Sequence, residues 1–242
     1  MNFLALIIIP FPSLIKVAVF RHVFGWKVGR GVRIGLSYFH PQNAKIGDRV
    51  RIGHFNWIGK MVDLEIGDDV VVGHANLIIG GRIVAMGDGA IIGRFNEINS
   101  ILKPLTRGLP EPELHIGRRT VITASHKIDF TDKVILGDSV VFAGRLSNIW
   151  THNRQDVGPV TIGANCYVGS GVQMVAGSSV GADCVVGLGS VITKKIDATG
   201  SLIAGVPAKV VKKLDEESLR LVTYPTRPDL DGFGDLADVV GE

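Results

Sequence analysis

The sequence predicts an all-β fold, a parallel β-helix of about eight three-sided coils, flanked by an N-terminal apolar segment and a short C-terminal helix and tail. Three observations predict it. In "PVTIGANCYVGSGVQMVAGSSVGADCVVGLGSVIT" (159–193), Ile162, Val168, Met174, Val180 and Val186 recur on a beat of six residues. Neither the 3.6 period of a helix nor the period of two of a simple strand gives that beat. The thirty-one glycines fall in register with it rather than clustering, which marks a repeat and not a linker. Apolar residues make up 46% and charged residues 20%, so the chain is globular rather than disordered.

The coils can be counted from their starts, Val28, Ile46, Ile66, Met86, Ile116, Leu136, Ile162 and Val180, each followed by glycine. Their spacings are 18, 20, 20, 30, 20, 26 and 18, and three hexads make eighteen. Larger spacings mark extra residues at corners, with loops near 102–113 and 150–158. Each side of the triangle is a short strand whose aliphatic points into the prism. The fifth residue of the hexad also points inward, near a tight corner: Val50, Val70, Ala90, Cys166, Val172, Cys184 and Ser190. The glycine after each aliphatic is expected to ease the approach to the turn. One coil cannot bury its own face, so stability must come from its neighbours. The helix domain is expected over 28–205. Within 206–242, "LDEESLRLV" (214–222) predicts one short helix before an acidic tail.

Residues 1–27 stand apart. They are apolar, but Pro10, Pro12, Lys16 and Arg21 leave no uninterrupted span of ~20 apolar residues. A signal peptide is not expected, since a basic leading region and a small-residue cleavage site are missing. Two readings stay open: packing on the protein's own core or a neighbouring subunit, or peripheral contact of residues 1–24 with a membrane. The first 47 residues hold six Lys/Arg and no acid, and the last 28 hold eight acids and two arginines. No basic run interleaved with aromatics points to nucleic acid. Cys166 and Cys184, eighteen residues apart, are expected to stack as reduced core thiols of a cytoplasmic protein. His54 and His74 should stack at one corner beside a column of Asn56, Asn76 and Asn96 that His126 ends.

Over 134–212 the run "VILGDSVVFAG…TH…PVTIGANCYVGSGV…VVGLGSVITKKI…IAGVPAKVV" is similar throughout to the galactoside, maltose and xenobiotic O-acetyltransferases. The chain thus resembles the hexapeptide-repeat acyltransferases over about 28–212. That resemblance implies a left-handed coil, acetyl-CoA as co-substrate with no metal, and a homotrimer whose active sites lie between two prisms. It also implies roles for named residues. His152 falls where the family's catalytic histidine sits, and imidazole suits a general base at neutral pH; the alternative is an exposed loop histidine with no role. His126 and Asp129 fall near the polar residue and the acid that help hold the acceptor, although the match needs a small gap. Asp132, twenty residues before His152 and so roughly one coil beneath it, is a third substrate-binding candidate. On the acetyl-CoA side, Ser170 matches the serine near the thioester, and Tyr167 takes the place of a tryptophan flanking the groove. Leu188 replaces an alanine that meets the pantetheine. Thr193 and Lys194 match the pair along the pantetheine arm and adenine, and Lys209 replaces a basic residue near the 3′-phosphate. Each of these could also be an ordinary surface residue.

The expected function is therefore acetyl-CoA-dependent O-acetylation of a sugar hydroxyl in polysaccharide or glycoconjugate assembly. The acceptor would be a sugar or glycoconjugate, and the site cytoplasmic, with the inner membrane face as a second reading. N-acetylation of an amino or nucleotide sugar, and drug acetylation, are the nearest alternatives. A γ-type carbonic anhydrase shares the fold, but His152 has no histidine partner four or five residues on. A non-catalytic scaffold would bind no CoA.

Overall fold

A computed structural model describes residues 3–101 and 112–222 of the chain. Strands stack coil on coil into three sheets of nine, ten and eight strands, which form the three faces of a prism. The first face begins with Lys27–Val28, the second with Arg33–Ile34 and the third with Tyr38–His40. All eight coil starts pair in parallel register: Val28 with Ile46, and so on through Ile66, Met86, Ile116, Leu136, Ile162 and Val180. The prism is therefore the parallel β-helix that the hexad predicts. Its interior is one continuous column of aliphatics, and the small corner residues Val50, Val70, Ala90, Cys166, Val172, Cys184 and Ser190 all face into it, buried. Cys166 and Cys184 are free thiols there, and their Sγ atoms donate to the carbonyls of Gly181 (3.1 Å) and Ala198 (3.2 Å).

The glycine that follows each aliphatic serves stacking rather than the turn itself. A Cβ on Gly47 would lie 2.6 Å from the carbonyl carbon of Gly67 in the next coil. The turn is made two residues later, in a left-handed backbone seat held mostly by non-glycine residues. At the corner between the first and second faces, Arg49, Asp69, Arg119, Ser139, Asn165 and Asp183 have φ between 53° and 57°. An L-residue there costs about 1–2 kcal/mol. The seat is offset by inter-coil hydrogen bonds, such as Arg49 N–H to the Arg30 carbonyl (2.7 Å) and Asp69 N–H to the Asp48 carbonyl (2.9 Å).

A polar column runs inside the corner between the second and third faces. Asn76 Nδ2 donates to Asn56 Oδ1 and Asn96 Nδ2 to Asn76 Oδ1, each at 3.0 Å. The His126 backbone N–H then donates to Asn96 Oδ1 (3.0 Å). Outside the same corner the His54 and His74 rings stack, 5.5 Å apart and 9° from parallel.

Both ends of the prism are covered. Helices α1 (Phe3–Ile7) and α2 (Ser13–His22) lie over the first coil, separated by the turn that holds Pro10 and Pro12. Phe20 packs against Trp26 and Phe39, with ring centroids 4.8 and 5.4 Å apart. At the other end Ser201–Gly205 is followed by a strand that the hexad did not predict, Ala208–Lys213, which pairs with it antiparallel. Helix α3 (Glu216–Val222) follows. The centre of the 102–113 loop and the acidic tail beyond 222 lie outside the described residues. Where the chain re-enters the prism, Glu113 is buried against Arg82, His115 (3.0 Å) and Lys133 (2.9 Å). Burial alone would raise its carboxyl, but hydrogen bonds from His115, Lys133 and Arg82 hold it down at about 2.

Candidate active site

His152 leaves the prism at the corner between the third and first faces, just after the strand Asn148–Trp150. The loop 151–158 folds back on itself. Asn153 Oδ1 accepts the backbone N–H of Gln155 (2.7 Å) and of Asp156 (2.8 Å), as asparagine does in tight turns. His152 and Val157 form an antiparallel bridge, and Gly158 N–H donates to the Thr151 carbonyl (2.9 Å). The histidine is thereby presented from a short, closed loop.

Its partner comes from the coil before. Lys127–Asp129 pairs with Asn148–Trp150, which brings Asp129 under the loop. His152 Nδ1 lies 2.7 Å from Asp129 Oδ2. The same oxygen accepts the backbone N–H (3.0 Å) and the hydroxyl (2.9 Å) of Thr151, while Oδ1 accepts the hydroxyl (2.6 Å) and N–H (3.2 Å) of Thr131. Five donors thus converge on one buried carboxyl group, which suits an acceptor-only carboxylate. With Nδ1–H donated to Asp129, the lone pair of the imidazole sits on Nε2. The His152 side chain remains 26% exposed, whereas that of Asp129 is 2% exposed. The arrangement can take a proton at Nε2 from a group arriving at the surface, with Asp129 facing the imidazolium that forms.

Asp132 belongs to the same network. Its backbone N–H donates to the Thr151 hydroxyl (2.9 Å), and its Oδ1 accepts the Lys133 N–H (2.6 Å). His126 does not. It lies at the opposite edge of the third face, with its ring in the core and Phe142 edge-on at 4.8 Å. Nδ1 accepts the Ser147 N–H (3.2 Å) and Nε2–H reaches the Thr123 hydroxyl (3.0 Å). Burial pushes its pKa down to about 4, so this ring is neutral at pH 7. It prolongs the asparagine column by the same backbone-to-side-chain bond.

The residues matched to the acetyl-CoA groove fall into two groups on the last coils. Thr193 and Lys194 are exposed just after the strand Val191–Ile192, at the same corner as His152 and two coils further on, because Ile149, Met174 and Ile192 are in register. Tyr167 is exposed on the second face, and Ser170 and Leu188 occupy equivalent exposed positions at its edge with the third. Lys209 is exposed on the closing hairpin of that same face, paired with Ala204. Within one prism the width of the third face separates this second group from His152. Sequence spacing alone did not reveal the roles of Thr131 and Thr151. Their signal is the "DFT" and "TH", in which Thr131 lies two residues after Asp129 and Thr151 directly precedes His152.

Among the described residues, no group of three or more His, Cys, Asp or Glu side chains could hold a metal ion. No family model matches the chain, and no curated protein matches it. Solved structures do. The UDP-N-acetylglucosamine acyltransferase of Campylobacter jejuni is 16% identical, over 77% of this chain and 80% of that one, with a TM-score of 0.53. That of Bacteroides fragilis is 18% identical, over 79% and 78%, with a TM-score of 0.52. A polySia-specific acetyltransferase is 19% identical over 78% and 82%, with a TM-score of 0.41. The fold of this chain is the β-solenoid of the hexapeptide-repeat acyltransferases, the family that its sequence resembles.

Proposed function

We propose that the protein is an acetyl-CoA-dependent O-acetyltransferase of a sugar hydroxyl, with His152 as general base and Asp129 as the residue that positions it. The observation that carries this reading is the Asp129–His152 contact, made on a loop that leaves Nε2 for a substrate. His152 Nε2 takes the acceptor's hydroxyl proton as the acceptor oxygen attacks the thioester carbonyl carbon. A C–O bond forms and a tetrahedral oxyanion results. Collapse breaks the C–S bond, and the departing CoA sulfur takes the proton back from the imidazolium. A base at the active site typically contributes ~10²–10⁴-fold.

A homotrimer fits this reading for a geometric reason. His152, Asp129, Thr193 and Lys194 sit at one edge of the third face, while Tyr167, Ser170, Leu188 and Lys209 sit at or beyond the other. Packing one prism's corner beside the next would bring the two groups together across an interface. The exposed lysines would then meet the phosphates of CoA, and the exposed Tyr167 and Leu188 its pantetheine arm. The sugar class follows the family resemblance, and the two acyltransferases named above, from Campylobacter jejuni and Bacteroides fragilis, carry a nucleotide sugar in their names.

The deciding experiment follows CoA release from acetyl-CoA over a panel of sugars, amino sugars, nucleotide sugars and lipid-linked sugars. Release that requires a hydroxyl acceptor supports the proposal. Release only with amines moves the reaction to N-acetylation. Failure to bind CoA in a thermal-shift assay, together with no release, would assign the protein to a scaffold.

A further inference from the structure

Helix α2 carries its chemistry the wrong way round for a helix facing water. Its lysine, Lys16, is 2% exposed, and Nζ donates to the Ile34 carbonyl (3.2 Å) and to that of Gly35. Leu14, on the outer side, is 82% exposed. Ile15 and Val23 are exposed with it, and α1 and the turn add Phe3, Ile7 and Phe11. The inward residues Ile8, Val17 and Phe20 already belong to the core, so the segment is seated without using these side chains.

The charged side chains that line the groove beside this apolar surface are all cationic. Leu14 and Val17 line a groove of about 360 Å³ together with Arg21, Arg30 and Arg33. All three arginines are exposed, as are Lys27 and Lys45. The first acid in the chain is Asp48, and its Oδ1 accepts the Arg30 backbone N–H (2.7 Å). Arg21 caps the backbone, donating to the carbonyls of Val28 (2.9 Å) and Gly29 (2.6 Å).

We propose that the α1–α2 cap docks on an anionic lipid bilayer, with Phe3, Phe11 and Leu14 entering the acyl boundary and Arg30 and Arg33 meeting headgroup phosphates. Exposed apolar side chains beside a groove of arginines match the two layers of such a surface. A second copy of this chain fits less well, because a two-fold contact would press the same arginines against each other. Short helices broken by Pro10 and Pro12 suit a molecule that lies on a bilayer; no described helix is long and apolar enough to cross one.

The test is co-sedimentation of the full chain with phosphatidylglycerol vesicles and with phosphatidylcholine vesicles, at low and high salt. Binding is expected to the first, weakened by salt. Arg30→Gln with Arg33→Gln should weaken it by roughly fivefold per charge. Leu14→Asp should weaken it at least as much, and both variants should keep the thermal midpoint because these side chains point outward. Protein that stays in the supernatant with phosphatidylglycerol at low salt would overturn the proposal. So would equal pelleting with both lipids, or pelleting unchanged in both variants. A fall in particle size on Leu14→Asp, seen without vesicles, would instead give this face to a second copy.

Discussion

His152 Nδ1 and Asp129 Oδ2 lie 2.7 Å apart across 23 residues of sequence and one coil of the helix. Asp129 is itself fixed by four donors from Thr131 and Thr151, so the imidazole's orientation is set before any substrate arrives. His152→Ala should cost ~10²–10⁴-fold in kcat with the fold unchanged. Asp129→Asn retains the imidazole, and should lower kcat by at least about tenfold while sparing the KM for acetyl-CoA. Steady-state kinetics on both variants is the check, and a His152→Ala enzyme with more than about a tenth of wild-type kcat would remove the general-base assignment.

Lys194 and Lys209 are exposed on the last coils, remote in the stack from Asp129. Lys194→Ala and Lys209→Ala should therefore raise the KM for acetyl-CoA more than they lower kcat. Lys209→Ala should matter less with a dephospho-CoA thioester, if that lysine meets the 3′-phosphate. Equal effects on both thioesters would contradict the placement.

His126 links stability to pH. Its buried ring is held neutral with a pKa near 4, against an ordinary 6.5. Between these values the unfolded chain binds the extra proton and the folded one does not, so stability present above pH 6.5 is lost as pH falls toward 4. The full effect is on the order of 3 kcal/mol. His126→Asn would continue the Asn56–Asn76–Asn96 column and should flatten that limb in denaturant titrations at a series of pH values. Glu113 is depressed to about 2, so its contribution is lost only as pH falls from 4.5 toward 2, a window separate enough to be distinguished. An unchanged slope in His126→Asn between pH 6.5 and 4.5 would show that another group titrates there.

The glycines divide into two kinds that behave differently on substitution. A Cβ on Gly117 would lie 2.5 Å from the Asp138 backbone nitrogen, whereas Gly177 has open space around it and φ of 75°. Gly117→Ala must push two coils apart, and should destabilise by about 1–3 kcal/mol or more. Gly177→Ala meets only the left-handed backbone penalty of about 1–2 kcal/mol. Urea unfolding midpoints should rank Gly117→Ala as the worse of the two.

The sequence by itself determined the prism. The hexad is a property of the local chain, since each aliphatic must face inward on its own strand, and counting it placed Val28, Ile46, Ile66 and their successors in the register that the coils adopt. The column of Asn56, Asn76 and Asn96 was legible for the same reason, as equal positions in successive coils. The tertiary structure decided what depends on how segments of unequal length fold back. It put Asp129 under His152 through the pairing of Lys127–Asp129 with Asn148–Trp150, while His126, three residues earlier, went into the core at the other edge of the face. It closed the prism with the antiparallel strand Ala208–Lys213, which carries no hexad. It also gave the coil-start glycines their reason, a backbone from the next coil too near to admit a Cβ, which no single coil reveals. Residues 1–27 divided in the same way. Their composition showed an apolar segment, but only packing on the first coil decided that Val17 and Phe20 would be core and Leu14 would face outward. A period fixes which way a residue points along its own strand, whereas contacts between coils, loops and ends are fixed by the shape those strands make together.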